Sequence, residues 1–216
     1  MNSVSSVVKS FFQVQRLAFL LLIVVSCGVA ADGVTLPQNC IESCVTPYGE
    51  LLGMSADGVQ AYSNCQGKCV VFDPNKLNGT YTGIKWQCVE YARRWLIQNR
   101  GLTFGDVDVA ADIWRLTELK RVNDQSDVAL TKFENGAIQP LKAGDLLIYG
   151  REYLGTGHTA IVLQVDRKHG IVRVAEQNFK NKRWSGQYAR TIQFVRKEGR
   201  YWLLDAYILG WMRTQY

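Results

Sequence analysis

Residues 83–101 read GIKWQCVEYARRWLIQNRG and predict an amphipathic helix. Its apolar residues recur with the period of a helix and form one buried face, composed of Val89, Ala92, Trp95 and Leu96. Polar residues occupy most of the opposite face, namely Arg93, Arg94, Gln98 and Asn99. Gly101 is a typical residue for the C-terminal end of such a helix.

Cys88 lies in the first turn of this predicted helix. The unpaired backbone N–H groups and the positive end of the helix dipole favour a thiolate at that place. A thiolate is the form of cysteine that attacks a carbonyl carbon. The alternative is that Cys88 is a small buried core residue, which is the usual role of a single cysteine. The choice depends on whether the chain supplies partners for a nucleophile.

The composition describes a globular chain with a modest positive charge. A length of 216 residues suits one domain with a small appendage, and six Trp residues help to supply a core. The net charge is +6, and it falls to +4 without the segment that carries Lys9 and Arg16. This charge is too weak and scattered to indicate nucleic-acid binding, although it suits an anionic wall polymer or an anionic peptide.

Residues 1–31 have the pattern of a signal peptide. Lys9 and Arg16 precede the apolar run LAFLLLIVV at 17–25, and small residues follow up to Ala31. We expect cleavage near Ala30 or Ala31 and a secreted or exported domain. Two alternatives stay open. An uncleaved segment would anchor the chain in a membrane, and in a bacterium Cys27 of the lipobox-like sequence VVSC would become a lipidated N-terminus.

The cysteine count also favours export. The chain has six cysteines, and Cys27 lies in the predicted signal peptide. Of the other five, four form two C-x-x-x-C pairs, Cys40 with Cys44 and Cys65 with Cys69. Such pairs can bind zinc, but an oxidising compartment favours disulfides, and we expect bridges between the pairs rather than within them. The sequence leaves the order of the two bonds open. Cys88 is then the unpaired cysteine, which indicates a reactive thiol.

The rest of the chain predicts an α+β fold. Residues 47–64 read as two short extended runs around a turn, residues 70–82 as a polar connection and residues 123–140 as a loop. Asp108 is a candidate cap for a second helix over residues 109–121. Five β-rich segments follow, at residues 145–149, 158–165, 170–175, 191–195 and 208–212. We therefore expect N-terminal helices packed on an antiparallel sheet.

A cysteine nucleophile needs a base, and the chain contains two histidines. His169 lies in a hydrophilic turn, where we expect it to be solvated and idle. His158 follows glycines at the start of a predicted strand and is the base by elimination, although a buried histidine with a structural role is the alternative. The next strand ends at Glu176, and antiparallel pairing sets that carboxylate beside His158 to orient the imidazole.

Two further polar residues carry separate predictions. Gln87 directly precedes Cys88, so its amide can donate to an oxyanion together with the backbone N–H of Cys88. A solvated glutamine is an equally good interpretation. Asn78 begins the sequence Asn-Gly-Thr, which is a glycosylation acceptor in a eukaryotic secretory pathway.

Several segments together resemble one known family. The sequences GIKWQCVEYARRWL, GHTAIVLQV and AEQN are similar to the CHAP domain, a family of cysteine, histidine-dependent amidohydrolases and peptidases. The likeness is strongest to the D-alanyl-glycyl endopeptidase-like amidase domains of glutathionylspermidine synthetase/amidases. It extends through PYGELLG, GVQAYSN, KAGDLLIY and ILGWM, and so covers residues 47 to about 214.

This resemblance implies a papain-like fold and a set of site residues. Cys88 would be the nucleophile, His158 the base and Glu176 the residue that orients it. Asn178, Gln87 and Arg93 would line the site, and Arg93 would receive a substrate carboxylate. The resulting organisation is a signal peptide at 1–31, a cysteine-rich extension at 32–72 and a CHAP amidase/peptidase domain at 47–216.

The function that we expect is hydrolysis of a peptide-type amide through a Cys-His-Glu triad, without a metal or another cofactor. No synthetase domain follows in the sequence, so we expect hydrolysis alone. The substrate would resemble glutathionylspermidine or a peptidoglycan cross-bridge, and the exported location favours the second. The partners expected are this substrate and no nucleic acid, with membrane contact only through the N-terminal segment, and the chain would be a monomer. The alternative is a catalytically idle secreted domain of the same fold that binds cell-wall or peptide ligands.

Overall fold

The structure is a computed structural model and describes residues 33–215. Its elements, in chain order, are α1 (Gln38–Ile41), β1 (Leu51–Met54), β2 (Gln60–Tyr62), β3 (Pro74–Leu77), β4 (Thr80–Ile84), α2 (Cys88–Arg100), β5 (Leu102–Thr103), a 3₁₀ helix (Ala110–Arg115), β6 (Glu118–Arg121), β7 (Asp127–Glu134), β8 (Leu146–Tyr149), β9 (His158–Asp166), β10 (Ile171–Ala175), β11 (Arg190–Lys197), β12 (Arg200–Leu203) and β13 (Ile208–Thr214). The fold is α+β, as predicted.

An antiparallel sheet forms the body of the domain, with the strand order β12-β11-β10-β9-β8-β13-β7-β6-β5. Strand β8 shows how the sheet divides two cores, because successive side chains of a strand point to opposite faces. Leu146 and Ile148 belong to the core that also contains the apolar face of α2. Leu147 and Tyr149 belong to the second core, on the other face. Strand β8 is therefore buried on both sides.

Helix α2 begins at Cys88 and ends where the sequence predicted. Ala92, Trp95 and Leu96 lie in the first core. Gly101 has a left-handed backbone with φ of 62°, and its N–H group bonds to the carbonyl of Ile97. This arrangement is the αL cap that favours glycine, since L residues with a Cβ atom rarely adopt a left-handed backbone. The predicted helix is confirmed over Cys88–Arg100, whereas Gly83 and Ile84 belong to β4.

The polar face predicted for α2 is partly wrong, because Arg93 and Arg94 are both buried. The guanidinium of Arg93 donates to the carbonyl of Phe104, and that of Arg94 donates to the carbonyl of Gln60 and to the carboxylate of Glu90. Other segments of the chain cover the helix on this side as well. Arginine tolerates such burial when its N–H groups find acceptors, and the sequence pattern alone does not show those acceptors.

The second helix predicted over residues 109–121 is wrong in length. A 3₁₀ helix covers Ala110–Arg115, and the chain then turns into β6. Leu119 is fully buried in β6 and pairs with Val128 of β7, so the packing of this residue is satisfied in a strand. The loop predicted at residues 123–140 is also wrong, since it contains β7. Its apolar residues alternate with polar ones, which is the pattern of a half-buried strand.

The N-terminal part contains two hairpins. The extended runs predicted at residues 47–64 form the pair β1–β2. The polar connection predicted at residues 70–82 is wrong, because it contains the hairpin β3–β4. Asn78 and Gly79 form its turn, both with positive φ, which is the usual preference of an Asn-Gly turn. Asn78 is exposed there, and its glycosylation stays a prediction.

Two disulfides fasten the segment before β3. Cys40 bonds to Cys69 and Cys44 bonds to Cys65, so both bridges join the two cysteine pairs, as expected. The bonded cysteines pack with Tyr48, Val71 and Trp86 in a small third core. The predicted signal peptide and Cys27 lie outside the described residues. Within residues 33–215 no helix is long and apolar enough to cross a membrane.

Candidate active site

Cys88 is the first residue of α2 and has a free thiol. It is 8% exposed and lines a cleft of about 580 Å³. The N–H group of a first helical residue has no acceptor within its own helix, so both this group and the helix dipole favour negative charge at Cys88. The position predicted for a nucleophile is therefore at the wall of an open cleft.

His158 begins β9 and lines the same cleft, with 1% of its surface exposed. Gly157 before it has φ of 70°, and a Cβ atom built there would lie 2.4 Å from the carbonyl oxygen of Tyr149. Only glycine permits this close approach. The rings of Tyr149, Tyr153 and Phe179 surround the imidazole at centroid distances of 5.4, 5.9 and 5.3 Å. These rings exclude water from His158 and restrict its rotation.

The imidazole connects Cys88 with Glu176. Its Nε2 atom lies 2.9 Å from Oε2 of Glu176, which is 3% exposed, and the ring lines the same cleft as Cys88 and is close enough for the thiol to affect its pKa. Because Nε2 is engaged by the carboxylate, Nδ1 is the ring nitrogen that remains for proton exchange with the thiol. Burial lowers the pKa of His158, but the negative charge of Cys88 and the hydrogen bonds to Cys88 and Glu176 outweigh it and raise this pKa to about 9.

Glu176 is held from behind by Arg190, which the sequence analysis missed. Arg190 Nε donates to Oε1 of Glu176 at 2.5 Å, and its other nitrogens donate to Tyr149 and Asp205. Burial raises the pKa of Glu176, but the hydrogen bond and charge of His158 and the charge of Arg190 outweigh it, so the net pKa is lowered. The carboxylate thus stays ionised beside the imidazole.

Gln87 and Asn178 form a short chain of amides at the cleft. Gln87 Nε2 donates to the carbonyl of Cys69 at 2.9 Å, and its Oε1 accepts from Nδ2 of Asn178. A carbonyl only accepts hydrogen bonds, so Cys69 fixes the orientation of both amides. Gln87 keeps a second N–H for an oxyanion. The Oδ1 atom of Asn178 is buried and has no partner within the described residues.

Arg93 lines the cleft, but its guanidinium is engaged by its own chain. It donates to the carbonyls of Phe104 and Gly105 at 3.0 and 2.5 Å and forms an ion pair with Asp106. Burial lowers the pKa of Arg93, with Asp106 opposing that shift. These contacts hold the segment after α2 against the helix. The role of Arg93 as a binder of a substrate carboxylate stays a prediction.

The second histidine, His169, lies outside the cleft, as expected. His169 is an exposed turn residue whose Nδ1 lies 2.8 Å from Asp166. Within residues 33–215 no group of three or more His, Cys, Asp or Glu side chains is arranged to hold a metal ion.

A free cysteine that starts a helix and faces a histidine on a neighbouring strand is the arrangement of cysteine hydrolases with a papain-like α+β fold. The class that fold and site define is that of amide and peptide hydrolases. Residues 79–178 match the family model of the CHAP domain, so this segment is similar to that family, as the sequence predicts.

Known relatives agree with this assignment. The bifunctional glutathionylspermidine synthetase/amidase of Escherichia coli (strain K12) is 41% identical over 145 residues, which are 63% of this chain and 23% of that protein. The trypanothione synthetase of Crithidia fasciculata is 30% identical over 129 residues, which are 59% of this chain and 20% of that protein. The chain spans about a quarter or less of the length of these relatives. The predicted resemblance to CHAP amidase domains is confirmed, and these matches support the class of amide and peptide hydrolases.

Proposed function

We propose that this chain hydrolyses a peptide-type amide through a triad of Cys88, His158 and Glu176. The observation that carries the proposal is the position of His158, which lies between the free thiol and a buried carboxylate. An imidazole held in this way can accept and return a proton while its orientation stays fixed. Arg190 supports the arrangement because it keeps Glu176 ionised.

The first half of the reaction is acylation of the thiol. The Sγ atom of Cys88 attacks the amide carbonyl carbon and forms a C–S bond, and the carbonyl oxygen becomes an oxyanion. The backbone N–H of Cys88 and the free amide N–H of Gln87 are the donors for this oxyanion. His158 then gives the proton on Nδ1 to the leaving nitrogen, the C–N bond breaks and an amine departs.

The second half is hydrolysis of the thioester. His158, now neutral, takes a proton from a water molecule as the water attacks the acyl carbon. The C–S bond breaks, the acid departs, and the thiolate and imidazolium form of the pair returns. Glu176 stabilises the imidazolium in both halves through its bond to Nε2.

The proposed substrate is a peptide amide or a peptide–polyamine amide, either similar to glutathionylspermidine or a peptidoglycan cross-bridge. The first choice is supported by the amidase named in the bacterial relative. The second is supported by export, which we propose from the signal-like segment at residues 1–31 and from two disulfides that suit an oxidising compartment.

The test uses the full chain with its four paired cysteines oxidised. We expect iodoacetamide to alkylate Cys88 rapidly at mildly acidic pH, where an ordinary thiol reacts slowly, and we expect the His158→Ala variant to lose this reactivity. His169→Ala is the matched control and should retain it. Glutathionylspermidine and a glycine- or alanine-containing cross-bridge peptide are then assayed for release of a free amine.

Two results contradict the proposal. Full hydrolysis by Cys88→Ala would exclude Cys88 as the nucleophile. Slow alkylation that is the same in wild type and His158→Ala, with no release of amine, would favour the idle binding domain instead.

A further inference from the structure

Four large apolar side chains are exposed around the cleft that holds Cys88 and His158. They are Val70, Phe72, Tyr81 and Leu154, and Phe72 is 85% exposed. Exposed apolar side chains that gather in one place mark a binding surface, whereas single ones are ordinary. We call this set the apolar wall.

The segment that contributes Val70 and Phe72 is held rigidly. The disulfide from Cys40 fixes Cys69, and the carbonyl of Cys69 accepts bonds from Asn64 and Gln87, each at 2.9 Å. These bonds connect the apolar wall directly to the residue before the nucleophile. A wall that is fixed before a ligand arrives loses little conformational freedom on binding.

Two further segments complete the apolar wall. Leu154 belongs to the turn between β8 and β9, and a Cβ atom built on Gly67 would lie 3.8 Å from its Cδ1 atom. Tyr81 comes from β4, with the guanidinium of Arg93 5.7 Å from its ring centroid. Lys68 also lines this part of the cleft. Three separate parts of the chain therefore place apolar side chains beside the thiol.

We propose that the apolar wall binds an aliphatic or aromatic group of the amide substrate, a proposal that rests on the hydrolase function proposed above. The argument is continuity, since the wall and the two reactive side chains line one cavity of about 580 Å³. That volume is large enough for more than the reacting amide. The carboxylates of Asp106 and Asp108 line the same cleft, so it presents acidic groups as well as apolar side chains.

The test measures alkylation of Cys88 and so needs no knowledge of the substrate. The probes are iodoacetamide, N-phenethyl-iodoacetamide and N-(2-hydroxyethyl)-iodoacetamide, each with its rate normalised to that with glutathione. We expect the phenethyl reagent to react about tenfold faster than the hydroxyethyl reagent, which is the order of preference that one apolar pocket gives. Equal normalised rates would overturn the proposal.

Substitutions in the apolar wall test whether its side chains cause the preference for the phenethyl reagent. Phe72→Ser is expected to reduce the ratio of phenethyl to hydroxyethyl rates by about threefold or more. Because Phe72 is exposed, this substitution should have little effect on the stability of the fold. Leu154→Asn is expected to act in the same direction, because asparagine accepts the φ of 55° at this position. The matched control is Ile138→Ser, which is 62% exposed and does not line the cleft. An equal loss in Ile138→Ser would overturn the proposal.

The outcomes separate this proposal from the hydrolase function. Amine release from a peptide amide without any preference for the phenethyl reagent would refute the apolar wall and leave the hydrolase intact. A clear preference in a chain that releases amine from none of the assayed amides would keep the apolar wall as a ligand site and refute the hydrolase.

Discussion

Glu90 and Glu176 are both buried carboxylates that accept hydrogen bonds from an arginine, yet their other partners differ. Glu90 is 0% exposed, and Asn75, Thr82, Arg94 and Gln177 donate to it. None of these partners changes its charge near neutral pH. Glu176 bonds to Arg190 and to His158, whose charge does change. The partner that titrates, and not burial, separates a candidate catalytic carboxylate from a structural one.

The parts of the chain that the two carboxylates connect support the same distinction. Glu90 connects α2 with the hairpin β3–β4 and, through Gln177, with the segment that follows β10. It therefore ties together parts of the chain that are distant in sequence. Glu176 contacts the ring of a single histidine in the cleft and is itself positioned by Arg190. One carboxylate stabilises the fold and the other orients a base.

Exchanging each carboxylate for an amide gives the largest expected contrast. We expect Glu176→Gln to lower kcat by about 10²- to 10⁴-fold and to lower the free energy of unfolding less than the exchange of Glu90 does, because Arg190 keeps Asp205 as a charge partner. We expect Glu90→Gln to leave kcat per folded molecule within about threefold but to lower the free energy of unfolding by about 3–5 kcal/mol, because Arg94 then loses its charge partner. Amine-release kinetics and urea unfolding measure the two effects.

The comparison fails if the effects are reversed. A stable Glu90→Gln variant with a large loss of kcat would make Glu90 a catalytic residue. An active Glu176→Gln variant would make Glu176 a structural one. Glu42→Gln is the control for the substitution itself, because Glu42 is an exposed residue outside both groups.

The pH dependence of His158 sharpens the comparison further. Its pKa is raised from 6.5 to about 9, so the imidazolium contributes fully to stability below about pH 6.5 and this contribution is lost as the pH rises through about 9. The leaving amine needs that proton, and kcat should fall above about pH 9. In Glu176→Gln the alkaline fall should move to lower pH, because Glu176 contributes to the raised pKa.

NMR of ¹⁵N-labelled histidine measures this directly, since the chain contains only two histidines. His169→Ala assigns the two signals. An alkaline limb that does not move in Glu176→Gln, with an unchanged titration of His158, would show that Glu176 does not act on the imidazole.

The sequence predicts those parts of the fold and the site whose interacting residues lie close together in the chain. Helix α2 was predictable because both of its ends and its apolar face carry local signals, from Cys88 to Gly101. Glu176 was also predictable, because one hairpin places it beside His158. Strand β7 was missed because polar residues dominate residues 123–140, although Val128 and Leu130 alternate with them correctly.

Arg190 was not predictable from the sequence. It reaches Glu176 because β10 and β11 pair with Val174 opposite Arg190, and this register follows from the packing of both strands in the second core. A charged residue at the start of a strand otherwise reads as a turn residue. The burial of Glu90 was missed for a similar reason, since three of its donors, Asn75, Thr82 and Gln177, come from outside its helix.

Arg190 supplies the third test of the comparison. We expect Arg190→Gln to lower kcat by about tenfold, because the pKa of Glu176 rises when the guanidinium is lost and the carboxylate is no longer fixed. Arg190→Lys should recover only part of this loss, since an ammonium cannot reach Glu176, Tyr149 and Asp205 together. A pH profile separates this positioning role from a general loss of stability.

One combination of results would contradict a positioning role for Arg190. Equal losses in Arg190→Gln and Arg190→Lys, with an unchanged pH profile and a lower free energy of unfolding, would place Arg190 with Glu90 among the structural residues. Arg196→Gln is the control, since Arg196 is an exposed residue of the same strand.

The two histidines allow the same kind of comparison, and the substitution of His169 has the smallest expected effect. His169 also pairs with a carboxylate, Asp166, at 2.8 Å, but its side chain is mostly exposed. Water screens such a pair, so His169→Ala should leave the free energy of unfolding nearly unchanged. Its kcat should stay within about twofold of wild type, because His169 does not line the cleft and so cannot exchange a proton with the substrate there. The measurement compares kcat of His169→Ala with that of His158→Ala. A tenfold loss of kcat in His169→Ala would mean that an exposed carboxylate–histidine pair also affects catalysis in this protein. Only the neighbouring Cys88 would then distinguish His158 from His169.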